Sequence, residues 1–212
     1  MAGTFVRRWV SGGQTGVDRA VLDAAIARGE PYGGWCPAGG WAEDRPEPPG
    51  LLADYPALRP TPSSDPAQRT TWNVRDSDAT LILGQRRETA SPGTELTLEV
   101  ARTLGRPVLV LDGLLDGLFD AADPAVRGRV VAGEALSGVD EALSGVDELL
   151  AWLAGLAGAT TEVLLSGARG APDGSNGLIL NVAGPRESEA PGAYVRARLL
   201  LEEAIRRLRA SH

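Results

Sequence analysis

Three times along this chain a short apolar run stops at a glycine-bearing polar turn, and apolar residues then recur at helical spacing. The first unit is Thr4 to Val10, the turn Ser11-Gly12-Gly13, and Val17, Ala20, Val21, Ala24 and Ala25 up to Gly29. The second runs from Ala79-Thr80-Leu81-Ile82-Leu83 through a polar loop, Gly84 to Pro92, into a helix from Gly93 to Leu104 that Gly105 closes. The third is Leu178-Ile179-Leu180-Asn181-Val182, then Ala183-Gly184-Pro185-Arg186, then a long helix ending near Arg209. A strand that feeds a helix through a tight turn is the unit of a parallel sheet, because the helix carries the chain back to the sheet's starting edge. The pattern predicts an α/β fold: a Rossmann-like, doubly wound, mostly parallel sheet with helices on both faces. The run Pro107 to Asp112 reads as one more strand, buried on both faces.

The 212 residues, 43% of them hydrophobic, suit a single domain with its own core. Two stretches break the pattern. Glu30 to Pro66 is rich in proline, glycine and tryptophan and reads as an ordered irregular loop; residues 113–177 differ in character and read as a helical insertion. The second stretch holds a tandem copy of seven letters, Glu134 to Asp140 and Glu141 to Asp147, with Leu136, Val139, Leu143, Val146, Leu150 and Leu153 in steps of three and four. That spacing fits an amphipathic helix on the core or a dimer contact.

The 21 basic residues are all arginine, and Cys36 and His212 are the single cysteine and histidine. A Walker-type lysine, a Schiff-base lysine, a Ser-His-Asp triad and a Cys/His zinc cluster are all excluded. A net charge of −7 gives no general field to attract nucleic acid or an anionic membrane, so an anion site must be local. A lone cysteine forms no internal disulfide, and neither a signal-peptide pattern nor an apolar run of about 18–20 residues is present. A soluble cytoplasmic protein is expected.

Parallel α/β sheets bind ligands where the strand-to-helix turns gather, at the carboxyl ends of the strands. Gly12, Gly13 and Gly16 let backbone N–H groups converge on an anion at a helix start, with Gln14, Thr15 and Arg19 as side-chain donors. A tight turn alone also uses glycine, and Asp18 fits a cap or a partner for Arg19. Gly93, Thr94 and Thr97 start a second cradle, and Asn181, Gly184, Pro185, Arg186, Glu187 and Ser188 a third. Ahead of Ala79, a helix over 67–75 would put Arg69, Asn73 and Asp76 near one face with Arg75 elsewhere. Arg69 and Arg75 suit ligand contact or ion pairing with Asp76 and Asp78, and those two carboxylates suit magnesium or a solvated helix end. No metal site is expected. Cys36 fits a small buried side chain or a soft ligand, and Trp35, Trp41 and Trp72 fit core packing or ring stacking. Three polar turns on one edge favour a ligand with a phosphate and a flat polar ring.

The segments SGGQTGVDRAVLDAAIARG, GGWCPAGGWAED, RTTWNVRDSDATLIL, GTELTLE and LNVAGPRES together resemble the molybdenum carrier family. These molybdenum-cofactor carrier proteins are a circularly permuted branch of the Rossmann-like superfamily that includes LOG-type nucleotide phosphoribohydrolases. The likeness covers residues 4–112 and 178–208 and implies a carrier of a phosphorylated pterin, molybdenum cofactor, that forms homo-oligomers and serves a molybdoenzyme. Glycine turns would hold the phosphate, arginines would face oxyanions, and Asp76, Asp78 or Glu187 would accept the pterin's N–H edge. Gly40 and Trp41 stand where the family usually has arginine before Ala-Glu-Asp. The LOG-type hydrolases carry an arginine nine residues before the aspartate of a Ser-Asp-Ala strand entry, which Arg69 and Asp78 match. Their Gly-Thr-x-x-Glu motif has Thr97 here in place of glutamate, leaving Glu95 or Glu99 to compensate. The other reading is therefore a nucleotide-binding protein, either a sensor or an N-glycosidic phosphoribohydrolase using Arg69, Glu95 and Glu99.

Overall fold

A computed structural model describes residues 6–84, 91–112, 144–156 and 177–210. Among these, six strands form one sheet: β1 (Val6–Val10), β2 (Tyr32–Cys36), β3 (Leu58–Pro60), β4 (Ala79–Leu83), β5 (Val108–Leu111) and β6 (Leu178–Ala183). Five helices accompany them: α1 (Val17–Arg28), α2 (Pro66–Arg75), α3 (Pro92–Thr103), α4 (144–156) and α5 (Ala193–Ala210). The strand order is β3-β2-β1-β6-β4-β5 and every pairing is parallel. The doubly wound expectation holds, with a permuted connectivity: the last strand in sequence lies in the middle of the sheet, between β1 and β4.

Right-handed crossovers sort the helices. Passage from β1 to β2 runs one way along the sheet, and the passages from β3 to β4 and β4 to β5 run the other, so α1 covers one face and α2 and α3 the opposite one. α5 packs on α1, and α2 on α3. All five strand-to-helix or strand-to-loop exits after β1, β2, β3, β4 and β6 therefore open on a single carboxyl edge.

The predicted apolar positions of α1, Val17, Ala20, Val21, Ala24 and Ala25, are fully buried. Gly29 and Gly105 end α1 and α3 in the left-handed conformation, with φ of 68° and 61°. β4 is buried along its whole length, as a continuous apolar run in a parallel sheet should be. β5 departs from its expected burial: it is the outer strand of the described sheet, and Val108, Leu109 and Val110 are only half-buried.

The stretch from Glu30 to Pro66 is a correction, because it contains β2 and β3 in place of an uninterrupted loop. Of the heptad stretch, only the part from residue 144 lies among the described residues. There Val146, Leu149 and Leu153 are buried in the core cluster, which matches the amphipathic-helix alternative. Three buried side chains at about 1.5–3 kcal/mol each outweigh the exposed Arg207–Asp147 pair, worth about 0–1 kcal/mol, in fixing α4. Leu136, Val139 and Leu143 lie outside the described residues.

Candidate functional site

At the carboxyl edge the turn after β1 and the turn after β6 are packed backbone to backbone. Gly16 has φ 74°, and a Cβ there would fall 2.3 Å from the Pro185 carbonyl oxygen. Val17 N–H donates to that same oxygen at 3.3 Å. A Cβ on Gly184 would fall 2.4 Å from the Leu83 carbonyl, so the third turn is wedged between α1 and the end of β4. Within the first turn, the N–H groups of Gly12, Gly13 and Gly16 have no protein acceptor among the described residues. They sit at the N-terminal end of α1, where the helix contributes about half a positive charge.

Two of the arginines predicted for this edge, Arg19 and Arg69, have different partners from those the sequence suggested. Arg19 donates its Nε to the Gly13 carbonyl (3.0 Å) and both Nη atoms to Asp44 (3.1 and 3.0 Å), and its guanidinium stacks over Tyr55. Its donors are committed to fixing the loop after β2. Arg69, in the first turns of α2, reaches across the edge to lie against Gly12 and donates Nη1 to Asp18 at 2.8 Å. Asp18 therefore pairs with Arg69 and not with Arg19. Burial raises the Asp18 carboxyl above its usual range, against the pull of Arg69. Arg69 Nε is buried without a hydrogen-bond partner among the described residues, so this guanidinium has an edge to spare.

The loop after β2 closes over these turns. Gln14 Oε1 accepts from Thr15 N–H at 3.1 Å and Glu43 N–H at 2.9 Å. Thr15 donates its hydroxyl to Glu43, and Ser188 does the same at 2.6 Å. Arg186 is half-exposed beside them, its own N–H donating to Glu189 at 3.0 Å. Glu43 and Asp44 were not among the sequence-nominated site residues, although both stand in the GGWAED segment that carried part of the family likeness. Burial of the Asp44 carboxyl works to raise it, but Arg19 holds it below the ordinary range.

The α3 turn joins from β4. Ser91 caps the helix by accepting Thr94 N–H at 3.3 Å, and the two hydroxyls lie 3.0 Å apart. Thr97 is buried and donates to the Gly93 carbonyl at 2.8 Å, whereas Glu95 and Glu99 are exposed on the opposite side of α3. Neither glutamate takes the place that Thr97 leaves. Asn181 is buried on β6, its amide 3.4 Å from the Thr80 hydroxyl on β4.

Five nominated residues are not free to meet a ligand at this edge. Asn73 is used up in a two-way pairing with the Trp35 backbone, accepting at 2.7 Å and donating at 3.0 Å. Arg75 pairs with its neighbour Asp76 at 2.7 Å, and Asp76 also accepts from the Trp35 indole at 2.8 Å. Asp78 precedes β4, at the amino edge, and accepts Ile179 N–H at 2.8 Å. Glu187, though on the third turn, is turned to the start of α5, where it accepts the N–H groups of Gly192 (2.5 Å) and Tyr194 (2.9 Å). Trp35 and Trp72 pack on each other with ring centroids 4.7 Å apart, flanked by Arg59 and Arg75. Among the described residues no three His, Cys, Asp or Glu side chains gather to hold a metal, and no helix is long and apolar enough to cross a membrane.

Residues 9–136, which include the β1 turn, the Glu43 loop and the α3 turn, match the sequence profile of the circularly permutated YpsA SLOG family. This chain belongs to that family. The permuted position of β6 agrees with the assignment. The crystal structure of a protein named putative molybdenum carrier protein, from Syntrophus aciditrophicus SB, is 29% identical to this YpsA SLOG chain with a TM-score of 0.58, and 94% of each chain is covered. No curated protein matches it.

Proposed function

We propose that this protein binds and carries a phosphorylated pterin, molybdenum cofactor, without transforming it, and delivers it to a molybdoenzyme. The observation that carries this reading is how the carboxylates around the glycine turns are used. Asp18 is held by Arg69, Asp44 by Arg19, Glu43 by Thr15 and Ser188, and Glu187 by the start of α5. Asp18, Asp44 and Glu187 are committed to fixing the turns and Glu43 is taken up by two hydroxyls, which leaves none of them placed to activate water or to stabilise an oxocarbenium-like centre. Donors remain: the N–H groups of Gly12, Gly13 and Gly16 at the head of α1 and the spare edge of Arg69 suit a phosphate. Thr94 and Thr97 line the neighbouring turn. The name of the Syntrophus aciditrophicus neighbour supports a molybdenum-related cargo.

A nucleotide-binding protein, either a sensor or a phosphoribohydrolase, is the second reading, favoured by the placement of Arg69 against the first glycine turn. The exposure of Glu95 and Glu99 speaks against its hydrolase form. Titration with molybdenum cofactor and with nucleoside monophosphates separates the two. The carrier binds the cofactor more tightly and releases no free base from any nucleotide; tight nucleotide binding without cofactor binding sinks the carrier reading.

A further inference from the structure

The donors of the first and third turns already hold an anion, and it belongs to the protein. Glu43 Oε1 receives the Thr15 hydroxyl and Oε2 the Ser188 hydroxyl at 2.6 Å. Thr15 Oγ1 itself accepts the Glu187 N–H at 3.2 Å, so the single hydroxyl proton of Thr15 is directed at Glu43. Burial works to raise the Glu43 carboxyl, but the Ser188 and Thr15 hydroxyls, the Ser188 N–H and the charge of Arg186 outweigh it and hold the carboxyl below its ordinary range. Two hydroxyls that both donate to one carboxylate, beside the charge of Arg186, mark an oxyanion subsite. All of these groups come from Thr15, Ser188 and Arg186, on the two turns that meet at Gly16 and Pro185.

The loop that brings Glu43 here does not depend on its carboxylate. Glu43 N–H is tied to Gln14, the next residue Asp44 is clamped to Arg19 by two hydrogen bonds, and Ala42 and Arg45 exchange backbone hydrogen bonds at 3.2 and 3.0 Å. Glu43 is also partly exposed, and its side chain can turn toward solvent about its own bonds. The loop can stay seated while the carboxylate leaves.

We infer that Glu43 is a built-in competitor: its carboxylate occupies a subsite for a second oxyanion group of the ligand, and a ligand bearing two anionic groups displaces it. The inference rests on reading the glycine turns as a phosphate site, and it adds a specificity rule to that reading. A ligand with one anionic group fills the α1 cradle and leaves Glu43 in place, to be repelled by it. A diphosphate, or a phosphate joined to another oxyanion, replaces the carboxylate with a group of higher charge on the same donors.

Calorimetric titration of the full chain with inorganic pyrophosphate tests this, using Glu43→Ala and Glu43→Gln, the second of which removes the charge and keeps the size. Both variants are expected to bind pyrophosphate at least tenfold more tightly than the wild type, with thermal melts showing that the fold is kept. The paired variant Thr15→Val with Ser188→Ala should bind at least tenfold more weakly than Glu43→Gln. Affinity equal to or below wild type in either Glu43 variant overturns the inference and makes Glu43 a plain clasp, while wild-type binding of nucleoside monophosphates or the pterin leaves the carrier or sensor reading standing. If wild type and both variants bind no phosphorylated probe at all, the phosphate reading of the turns falls and the competitor with it.

Discussion

The guanidinium of Arg69 lies against the backbone of Gly12, so closely that a Cβ on Gly12 would fall 1.9 Å from Nη1, and from there it reaches Asp18 at 2.8 Å. The side chains of both charged partners are largely buried, with exposures of 13% and 4%. Removing one half of such a pair strands the other charge, typically at a cost of about 3–5 kcal/mol. Arg69→Leu is therefore expected to lose stability on that scale near neutral pH.

The loss should depend on pH in a definite direction. Burial raises the Asp18 carboxyl in the folded protein and Arg69 opposes the rise. In Arg69→Leu the main opposition to burial is gone and only the smaller influences of Gln14 and Ser11 still lower the carboxyl, so the folded state holds its proton to higher pH than the unfolded chain does. Stability of the variant is then greatest below the unfolded carboxyl's range and falls as pH climbs through the folded value. Urea unfolding at stepped pH checks this; a variant as stable as wild type at neutral pH would show that the pair does not hold the site.

Gly12→Ala pushes on the same contact from the other side. The atoms that a new methyl would meet, Arg69 Nη1, Cζ and Cδ at 1.9, 2.5 and 2.9 Å, belong to a flexible side chain, so the guanidinium can shift. The expected cost is about 1–3 kcal/mol, the usual range for overpacking, and smaller than for loss of Arg69. Phosphate affinity should fall more than stability does, because the shift moves the Arg69 guanidinium that the proposed phosphate site uses. Parallel melts and phosphate titrations measure the ratio.

The helices, four of the six strands and the shared edge of the glycine turns were legible because each is written in local spacing. β2 and β3 were not. β2 carries Gly33 and Gly34, which read as loop, and Gly34 is required because a Cβ there would fall 2.2 Å from the Ser11 carbonyl. β3 is three residues long and ends in Pro60. At the site, the turn residues were visible but their partners were not. Arg19 meets Asp44, Asp18 meets Arg69, and Glu43 meets Thr15 and Ser188 across 25, 51, 28 and 145 residues of chain. No helical or strand period encodes such separations. Asp76 and Asp78 misled for the same reason, since a position just before a strand belongs to the amino edge and only the assembled sheet shows which edge collects the turns.

Cys36 closes β2 fully buried, with its thiol 3.6 Å from the Arg59 carbonyl. Burial pushes the thiol up to about 11, and the more distant Arg69 lowers it only in part. Since the thiolate is the reactive form, a disulfide reagent at about pH 8 should modify native protein at least about a hundredfold more slowly than protein in denaturant. Rapid labelling of the native chain would contradict the burial of β2's last residue.

On α5, Glu203 accepts from Arg206 and Arg207 at 2.7 Å each. The Arg206 hydrogen bonds, opposed by slight burial and helped by Arg207, draw its carboxyl down to about 2. A depressed carboxyl stabilises the fold above its unfolded value and loses that contribution as pH falls through the folded one. Acid unfolding should thus include a component below about pH 4 that Glu203→Gln removes, with a small loss of Tm at neutral pH that rising salt diminishes. An unchanged acid limb in the variant would show that these pairs do not contribute.

Gly16→Ala tests the junction of the two turns on which the proposed site depends. The positive φ of 74° is costly for any residue with a Cβ, by about 1–2 kcal/mol. Here the new atom would also meet backbone, Pro185 O at 2.3 Å and Glu187 N at 2.8 Å, which cannot swing aside as a side chain can. The turn after β6 must then move off the turn after β1, separating Ser188 and Arg186 from Thr15 and taking the bond between Val17 N–H and Pro185 O with it. The expected loss is about 2–4 kcal/mol when overpacking is added to the backbone cost. A pyrophosphate titration should show binding weakened beyond what either Thr15→Val or Ser188→Ala causes alone. Wild-type affinity in Gly16→Ala would mean that the ligand does not bridge the two turns.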